Sequence, residues 1–299
     1  MNLWPFAAAT TTAAPAENRW SWLLPGGRRL ELGRRVEVMG IVNVTPDSFS
    51  DGGRFFDRKA AVEHALRLAG EGAAIVDVGG QSTRPGSEPL SAGEETDRVL
   101  PVIEGLRAGS AVPVSIDTYR AEVAARALDA GADIVNDISA FRFDEDMLPL
   151  LAERKVPAIA MHIKGTPRDM QRDPRYDDVV EEVRSYLAGA LERAERAGLS
   201  RGQVAVDPGI GFGKSLEHNL ELLRNLPRLR ELGVPLLVGA SRKSFIGKVL
   251  ELEVGERLEG TLAVSALCAA AGADLVRAHD VAANLRAVRM AEAVVGRGR

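Results

Sequence analysis

The chain has 299 residues, 45% of them hydrophobic and 27% charged, which is enough apolar content to bury a core and excludes general disorder. Lysine and arginine number 38 against 42 acidic residues, a formal charge of −4, so nothing in the balance recommends a nucleic-acid or anionic-membrane partner. The single cysteine, Cys268, forbids an intrachain disulfide and a cysteine-based zinc cage, and no apolar run reaches the ~18 residues needed to span a bilayer.

Residues 1–18 (MNLWPFAAATTTAAPAEN) read as a flexible tail. An Ala-x-Ala spacing at 7–9 mimics a secretory cleavage site, but no basic segment precedes it and Pro5 interrupts an apolar stretch that is already too short. A cytoplasmic location is therefore expected. Over 19–33, two short strand-like runs flank Pro25-Gly26-Gly27, which predicts a hairpin. Closing the bottom of a barrel would be its natural place. From residue 36 one unit recurs: a β-branched apolar run, then an amphipathic helix. The runs are VEVMGIV (36–42), AAIVDVG (73–79), VPVSID (112–117), ADIVND (132–137), VPAIAMH (156–162), QVAVD (203–207), VPLLVGA (234–240) and ADLVRAH (273–279). They lack strict alternation, as strands covered on both faces should. Helices are predicted over 58–71, 94–107, 120–130, 177–198, 217–231 and 281–295. Gly72, Gly131 and Gly272 each sit between a helix and the next strand, where a residue with positive φ is wanted.

About eight such units close a (β/α)₈ TIM barrel spanning 36–295, so 19–299 reads as one barrel domain with an N-terminal hairpin extension. A doubly wound open sheet is the rival, but no G-x-G-x-x-G follows the first strand. In a barrel the active site lies at the C-terminal strand ends. Those ends carry reactive residues almost without exception. Asn43 ends the first run, Asp77 lies in the second, Asp117 ends the third, Asn136 and Asp137 the fourth, His162 the fifth and Asp207 the sixth. Ser241, Arg242 and Lys243 follow the seventh, and Arg277 and His279 end the eighth. Any one Asp or Asn there could be a helix N-cap; Lys, Arg and His have no such reason to be present. Asp117, Asn136 and Asp207 suit a ligand edge presenting several N–H donors. Asn43, Arg277 and His279 suit phosphate oxygens, and Lys243 could serve either.

Two loops rich in Gly, Pro, Ser and Asp, NVTPDSFSDGGRFF (43–56) and GGQSTRPGSE (79–88), follow strand ends and could close over a reaction. Other patterns mislead. Gly209-Ile-Gly-Phe-Gly-Lys-Ser215 looks like a phosphate loop, but the position that needs glycine is Pro208. Asn43-Val44-Thr45 matches a glycosylation acceptor only by chance. His64 and His218 read as solvated or packed histidines, and the charged run 181–196 as a solvated helix face.

MGIVNVTPDSFSDGG (39–53), DVGGQSTRPGSEP (77–89), SIDTY (115–119), VNDIS (135–139), MHIKGTP (161–167), DPGIGFGK (207–214), GASRKSFIG (239–247) and RAHDV (277–281) occur in an order that resembles the dihydropteroate synthases. The resemblance covers about 36–295. It implies condensation of 4-aminobenzoate with 6-hydroxymethyl-7,8-dihydropterin diphosphate, giving 7,8-dihydropteroate and diphosphate in folate synthesis, with sulfonamides imitating the aminobenzoate. Carried over by motif, it places Asp117, Asn136, Asp207 and Lys243 in a pterin pocket. Asn43, Arg277 and His279 fall on the diphosphate, with Asn43 also a ligand of Mg²⁺. Thr83, Arg84, Pro85, Phe212, Lys243 and Ser244 frame the aminobenzoate. Asp51, Lys243, Arg277 and His279 become the catalytic candidates, Asp51 for the cationic centre or the amine proton. Small-molecule substrates and a homodimer through helices near the C-terminus, including the apolar stretch 259–272, are the implied partners.

The sequence departs from the family's habit at Gln81 (usually Glu), Lys164 (usually Gln), Ala140 (often Gly) and Ala278 (often Val), and none of these removes an expected ligand. Lys164 is expected to be solvated at the rim. A folate-handling methyltransferase would need neither Arg277 and His279 nor the STRP loop. A non-catalytic paralogue should have lost a ligand, and a Schiff-base aldolase using Lys243 would not explain the other motifs.

Overall fold

The continuous β-branched runs become short parallel strands because both their faces are covered, one by the barrel interior and one by helices. The structure, a computed structural model, describes residues 19–44, 53–82, 87 and 90–298, with the backbone alone over 53–57. The expected tail 1–18 and the candidates Asp51, Thr83, Arg84 and Pro85 lie outside the described residues.

The elements follow in chain order. A hairpin of β1 (Trp20–Leu23) and β2 (Arg29–Leu32) turns through Pro25–Gly27. Then come β3 (Glu37–Asn43), α1 (Gly53–Gly70), β4 (Ile75–Gly79), α2 (Ala92–Gly109), β5 (Val114–Asp117), α3 (Ala121–Asp129), β6 (Ile134–Asp137) and α4 (Met147–Arg154). The second half contains β7 (Ala158–Met161), α5 (Val179–Arg196), β8 (Val204–Asp207), α6 (Leu216–Arg224), α7 (Leu226–Arg230), β9 (Leu237–Val238), α8 (Ser244–Leu250), α9 (Leu258–Ala270), β10 (Leu275–Ala278) and α10 (Val281–Val295). The eight strands β3 to β10 form one parallel sheet in the order β8-β7-β6-β5-β4-β3-β10-β9. A parallel bridge between Val206 and Leu236 joins its two ends. The sheet is a (β/α)₈ barrel, and every predicted strand is in it.

The barrel interior is filled in its lower half by Met39, Ile75, Ile134, Ile159, Ala205, Leu237 and Leu275, and the hairpin packs Trp22, Leu24 and Leu32 against them. Trp22 is fully buried and its indole N–H donates to the Gly202 carbonyl at 2.9 Å. The hairpin therefore plugs the bottom, as its position before the first strand implied. Some helices differ from expectation. The single helix predicted over 217–231 splits at Asn225 because Pro227 lacks the N–H that would continue it, so α7 begins with proline in its first turn. The helices α4 and α8 were not signalled by the periodicity, and the 259–272 stretch contains α9. Among the described residues no helix is long and apolar enough to cross a membrane.

Candidate active site

The strand register brings the polar ends together. Asp77 pairs with Ser115, Gly79 with Asp117, Asp117 with Asn136, and Met161 with Asp207. Asn43 ends β3 beside Gly79 and is exposed. Gly239, just past β9, has no side chain to fill the centre: a Cβ there would meet Asp207 Oδ2 at 3.6 Å and Arg277 Cβ at 3.7 Å. Residues 70 positions apart in the chain thus flank one glycine.

The pterin half and the anion half, expected as neighbours, share a residue. Arg277 Nε donates to Asp77 Oδ2 at 2.6 Å and Nη2 to Asp117 Oδ2 at 2.8 Å. Asn136 Nδ2 donates to the same Asp77 oxygen at 3.2 Å. Asp77 is fully buried; among the described residues its Oδ1 has no partner, and neither does the buried Ser115 hydroxyl beside it in register. The sequence showed Asp77 in its strand but assigned it no role; its place one pleat below Gly79, pointing inward, was the available signal. Asp207 accepts from the Gly209 backbone N–H at 2.7 Å. Burial pushes its carboxyl up to about 6, against the pull of that N–H and of Lys243. Burial likewise raises Asp117, offset by Arg277. Lys243 is lowered to about 8 by burial and by Arg277, while Asp207 and Asp117 oppose the shift. Its ammonium lies 3.9 Å from the centre of the Phe212 ring.

His279 is held by the Ser241 hydroxyl. The His279 backbone N–H donates to Ser241 Oγ at 3.2 Å, and Oγ lies 2.9 Å from His279 Nδ1. The hydroxyl can donate to Nδ1 or accept from it, so either neutral tautomer closes this contact. Burial, with Arg277 and Arg242 nearby, lowers His279 to about 4, which favours the neutral ring. Arg242 has φ of +56° and pairs the Nε–Nη2 edge of its guanidinium with Asp280, at 2.8 Å for the shortest contact. This bend sets the direction of the next residue, Lys243. Ser244 opens α8 and is exposed.

An apolar cluster of Ile138, Met161, Ile163, Met170 and Phe212, with Tyr119 against it, stands at the mouth. The sequence reading found only Phe212 of this group, because residues from four different loops and strands carry no common period. Gln81 uses both ends of its amide: Nε2 donates to Tyr119 Oη at 2.9 Å and Oε1 accepts from Arg120 at 2.7 Å. A glutamate could make the first bond only by accepting from the tyrosine hydroxyl. Lys164, expected to be solvated, is partly so, but its ammonium contacts Glu182 at 3.2 Å and lies 3.9 Å from the Tyr176 ring centre.

Among the described residues no group of three or more His, Cys, Asp or Glu side chains is arranged to hold a metal ion. The exposed Asn43 offers an amide oxygen at this rim. A single protein oxygen fits an ion that keeps its waters and leans on substrate phosphates, as Mg²⁺ does, rather than one caged by protein.

The comparisons with known proteins agree with the (β/α)₈ barrel. The chain matches the pterin binding enzyme family over residues 39–279 and belongs to it. It is 49% identical over 273 residues to the dihydropteroate synthase of Synechocystis, covering 91% of this chain and 94% of that protein. Among solved structures it is similar to Xanthomonas albilineans dihydropteroate synthase with 4-aminobenzoic acid, at a TM-score of 0.86 and 47% identity, covering 93% of this chain and 98% of that one. It also resembles the Yersinia pestis enzyme in a sulfonamide drug complex, at a TM-score of 0.86 and 40% identity over 92% of this chain and 99% of that one. Within the pterin-binding enzymes these relatives place it among the dihydropteroate synthases, transferases of folate biosynthesis.

Proposed function

We propose that this chain condenses 6-hydroxymethyl-7,8-dihydropterin diphosphate with 4-aminobenzoate, releasing diphosphate and 7,8-dihydropteroate. The observation that carries the assignment to its own residues is the convergence of Asp207 and Arg277 on Gly239, with Asp117, Asn136, Lys243 and His279 around them. Asp207, a buried acceptor with one N–H already bound, takes donors from the amino-pyrimidine edge. Asp117 and Asn136 hold the rest of the ring, and Asp77 orients Arg277 and Asn136 from beneath. Lys243 lies between the pterin and the Phe212 ring, which with Thr83, Arg84, Pro85 and Ser244 frames the aminobenzoate.

The bond between the pterin CH₂ and the diphosphate oxygen breaks with its electron pair going to diphosphate. Arg277 and His279 meet that developing charge at the strand ends. The aryl amine then forms the new C–N bond and loses a proton, with Asp51 the candidate to receive it or to stabilise the cationic carbon. Asn43 would hold Mg²⁺, which when bound supplies positive charge to the phosphate oxygens. No side chain needs to act as a nucleophile.

A homodimer is proposed through α9 and α10, where Leu267 is 54%, Met290 65% and Val294 73% exposed, more apolar surface than one helix pair ordinarily leaves open. A single barrel domain over 19–299 and a cytoplasmic location complete the reading. Incubating the purified protein with Mg²⁺, the pterin diphosphate and labelled 4-aminobenzoate should yield labelled dihydropteroate. Binding of pterin without any such product would reduce the chain to a pterin-binding protein.

A further inference from the structure

The loop from Pro208 to Lys214 connects the Asp207 carboxylate to the Phe212 ring. Its glycines Gly209, Gly211 and Gly213 all have positive φ, at 66°, 83° and 63°, so the chain doubles back on itself without a regular ladder. A Cβ on Gly209 would collide with the His162 carbonyl, and one on Gly213 with the Lys164 carbonyl. Carbonyls in such a buried loop must find side-chain donors. Tyr176 Oη donates to Gly213 O at 2.7 Å and Gln171 Nε2 to Gly211 O at 2.8 Å. Two more are taken by Lys214, which turns back under its own loop: Nζ donates to Gly209 O and to Phe212 O, both at 2.9 Å.

The third neighbour of that ammonium is His162 Nδ1, also at 2.9 Å. Lys214 is 3% exposed and His162 4%. An ammonium has three hydrogens, and three acceptors surround it. With all three hydrogens on Nζ, that match makes Nδ1 the third acceptor and puts the imidazole proton on Nε2, against the burial that draws the lysine well below its ordinary value. The lysine that completes an apparent phosphate-loop pattern is therefore turned inward, away from any anion at the rim, and is spent on the backbone beneath Phe212.

The position of Asp207 does not depend on this lysine in the same way, although the Lys214 charge pulls its carboxyl down. It lies in β8, paired with β7 through Met161, and its carbonyl accepts from the His162 N–H at 2.9 Å. Phe212 has no strand to hold it. Its carbonyl is bound by Lys214, its N–H by Gly209 O at 3.0 Å, and Gly209 O is itself the other carbonyl that Lys214 holds. Removing the lysine loosens both ends of that turn.

We infer that Lys214 is a positioning residue for the second substrate: with His162 it fixes the 208–213 loop so that the Phe212 ring stands under Lys243 to receive 4-aminobenzoate, and it touches neither substrate itself. This rests on the proposed assignment of Phe212 to the aminobenzoate site. Lys214→Met keeps the length of the side chain and removes every donor. In the full-length protein it should raise KM for 4-aminobenzoate tenfold or more, while the Kd of a phosphate-free pterin, measured by calorimetry, stays within threefold. A parallel rise in both constants, or no change in either, overturns the inference. Should that variant fail to fold, Lys214→Gln retains one shorter donor and gives the same split in milder form. On the unaltered protein, long-range ¹H–¹⁵N spectra of labelled histidine should show His162 neutral with its hydrogen on Nε2; a hydrogen on Nδ1 removes the lysine's third acceptor and sinks the arrangement. The spectrum does not depend on turnover, so a protein that makes no dihydropteroate would lose the proposed reaction without deciding the loop.

Discussion

The two ends of the barrel hold the same kind of side chain in opposite conditions. At the bottom, two Ala-Gly-Ala-Asp quartets, 130–133 and 271–274, lead into β6 and β10. Each Asp is at most 1% exposed and fully answered. Asp133 binds Arg28, Arg107 at 2.7 Å and the Val114 N–H at 3.0 Å. Asp274 binds Arg230 at 3.1 Å, Arg297 at 2.9 Å and the Leu236 N–H at 3.0 Å. At the top, Asp77 and Asp117 share one arginine, an oxygen of Asp77 has no partner among the described residues, and Asp207 has a single backbone donor. Carboxylates with two cations and an N–H each hold the fold together. Carboxylates short of donors keep acceptor capacity that a ligand can fill, at a cost to the stability of the empty protein.

The sharpest way to break this contrast is to exchange the expected consequences. Arg277→Ala should lower turnover by on the order of 10²–10³, the usual loss when a preorganised donor to a developing anion is removed, measured by dihydropteroate formation at saturating substrates. Its unfolding free energy should change less than that of a bottom variant, because burial already holds the Asp117 carboxyl well above its ordinary value, so Asp117 can take up a proton when the arginine is lost. Activity within tenfold of the original would remove Arg277 from the departing anion. Asp274→Ala should do the reverse. It strands Arg230 and Arg297 and frees the Leu236 N–H, so unfolding in urea should show a loss of about 3 kcal/mol, while kcat per folded molecule is unchanged. A drop in kcat beyond the folded fraction would mean that the two ends are not separate.

The sequence made the barrel legible because eight apolar runs alternate with helices at a period that only covered strands produce, and because the polar residue falls repeatedly at the same end of the run. Asp117, Asn136, Asp207, Arg277 and His279 were visible for that reason. Asp77 was harder to assign, since it lies within its run and its role depends on the register with Ser115 and on where Arg277 folds. Lys214 was legible as a residue but not as a role. Its pattern suggested an anion, and only the backbone of 208–213 shows that its hydrogens are already engaged. Ser241 holds the His279 ring across 38 positions of chain, a relation no spacing reveals. The break between α6 and α7 was readable in principle from Pro227, which the helical period over 217–231 outweighed.

A smaller and more discriminating effect comes from Asp207→Asn, because the comparison predicts opposite signs for stability and binding. Burial raises this carboxyl from an ordinary 3.8 to about 6. Between about pH 4 and pH 6 the folded chain keeps a proton that the unfolded chain has released. Fewer protons are then bound in the unfolded state, so this group makes stability fall as pH rises through that window. The deficit above it is on the order of 3 kcal/mol. Asparagine has no charge to desolvate and can still accept from the Gly209 N–H, so the variant should unfold later than the original at pH 7 and lose that part of the pH dependence. The same amide has one acceptor oxygen where the carboxylate has two, so a phosphate-free pterin should bind about 10- to 100-fold more weakly. In the unsubstituted protein, pterin affinity should decline as pH falls below about 6 and the carboxylate protonates, and the variant should lack this decline. Calorimetry across pH 5 to 8 reads both effects. A variant that binds as well as the original and unfolds earlier would behave like Asp274, and would place Asp207 with the carboxylates that hold the fold instead of those that wait for a ligand.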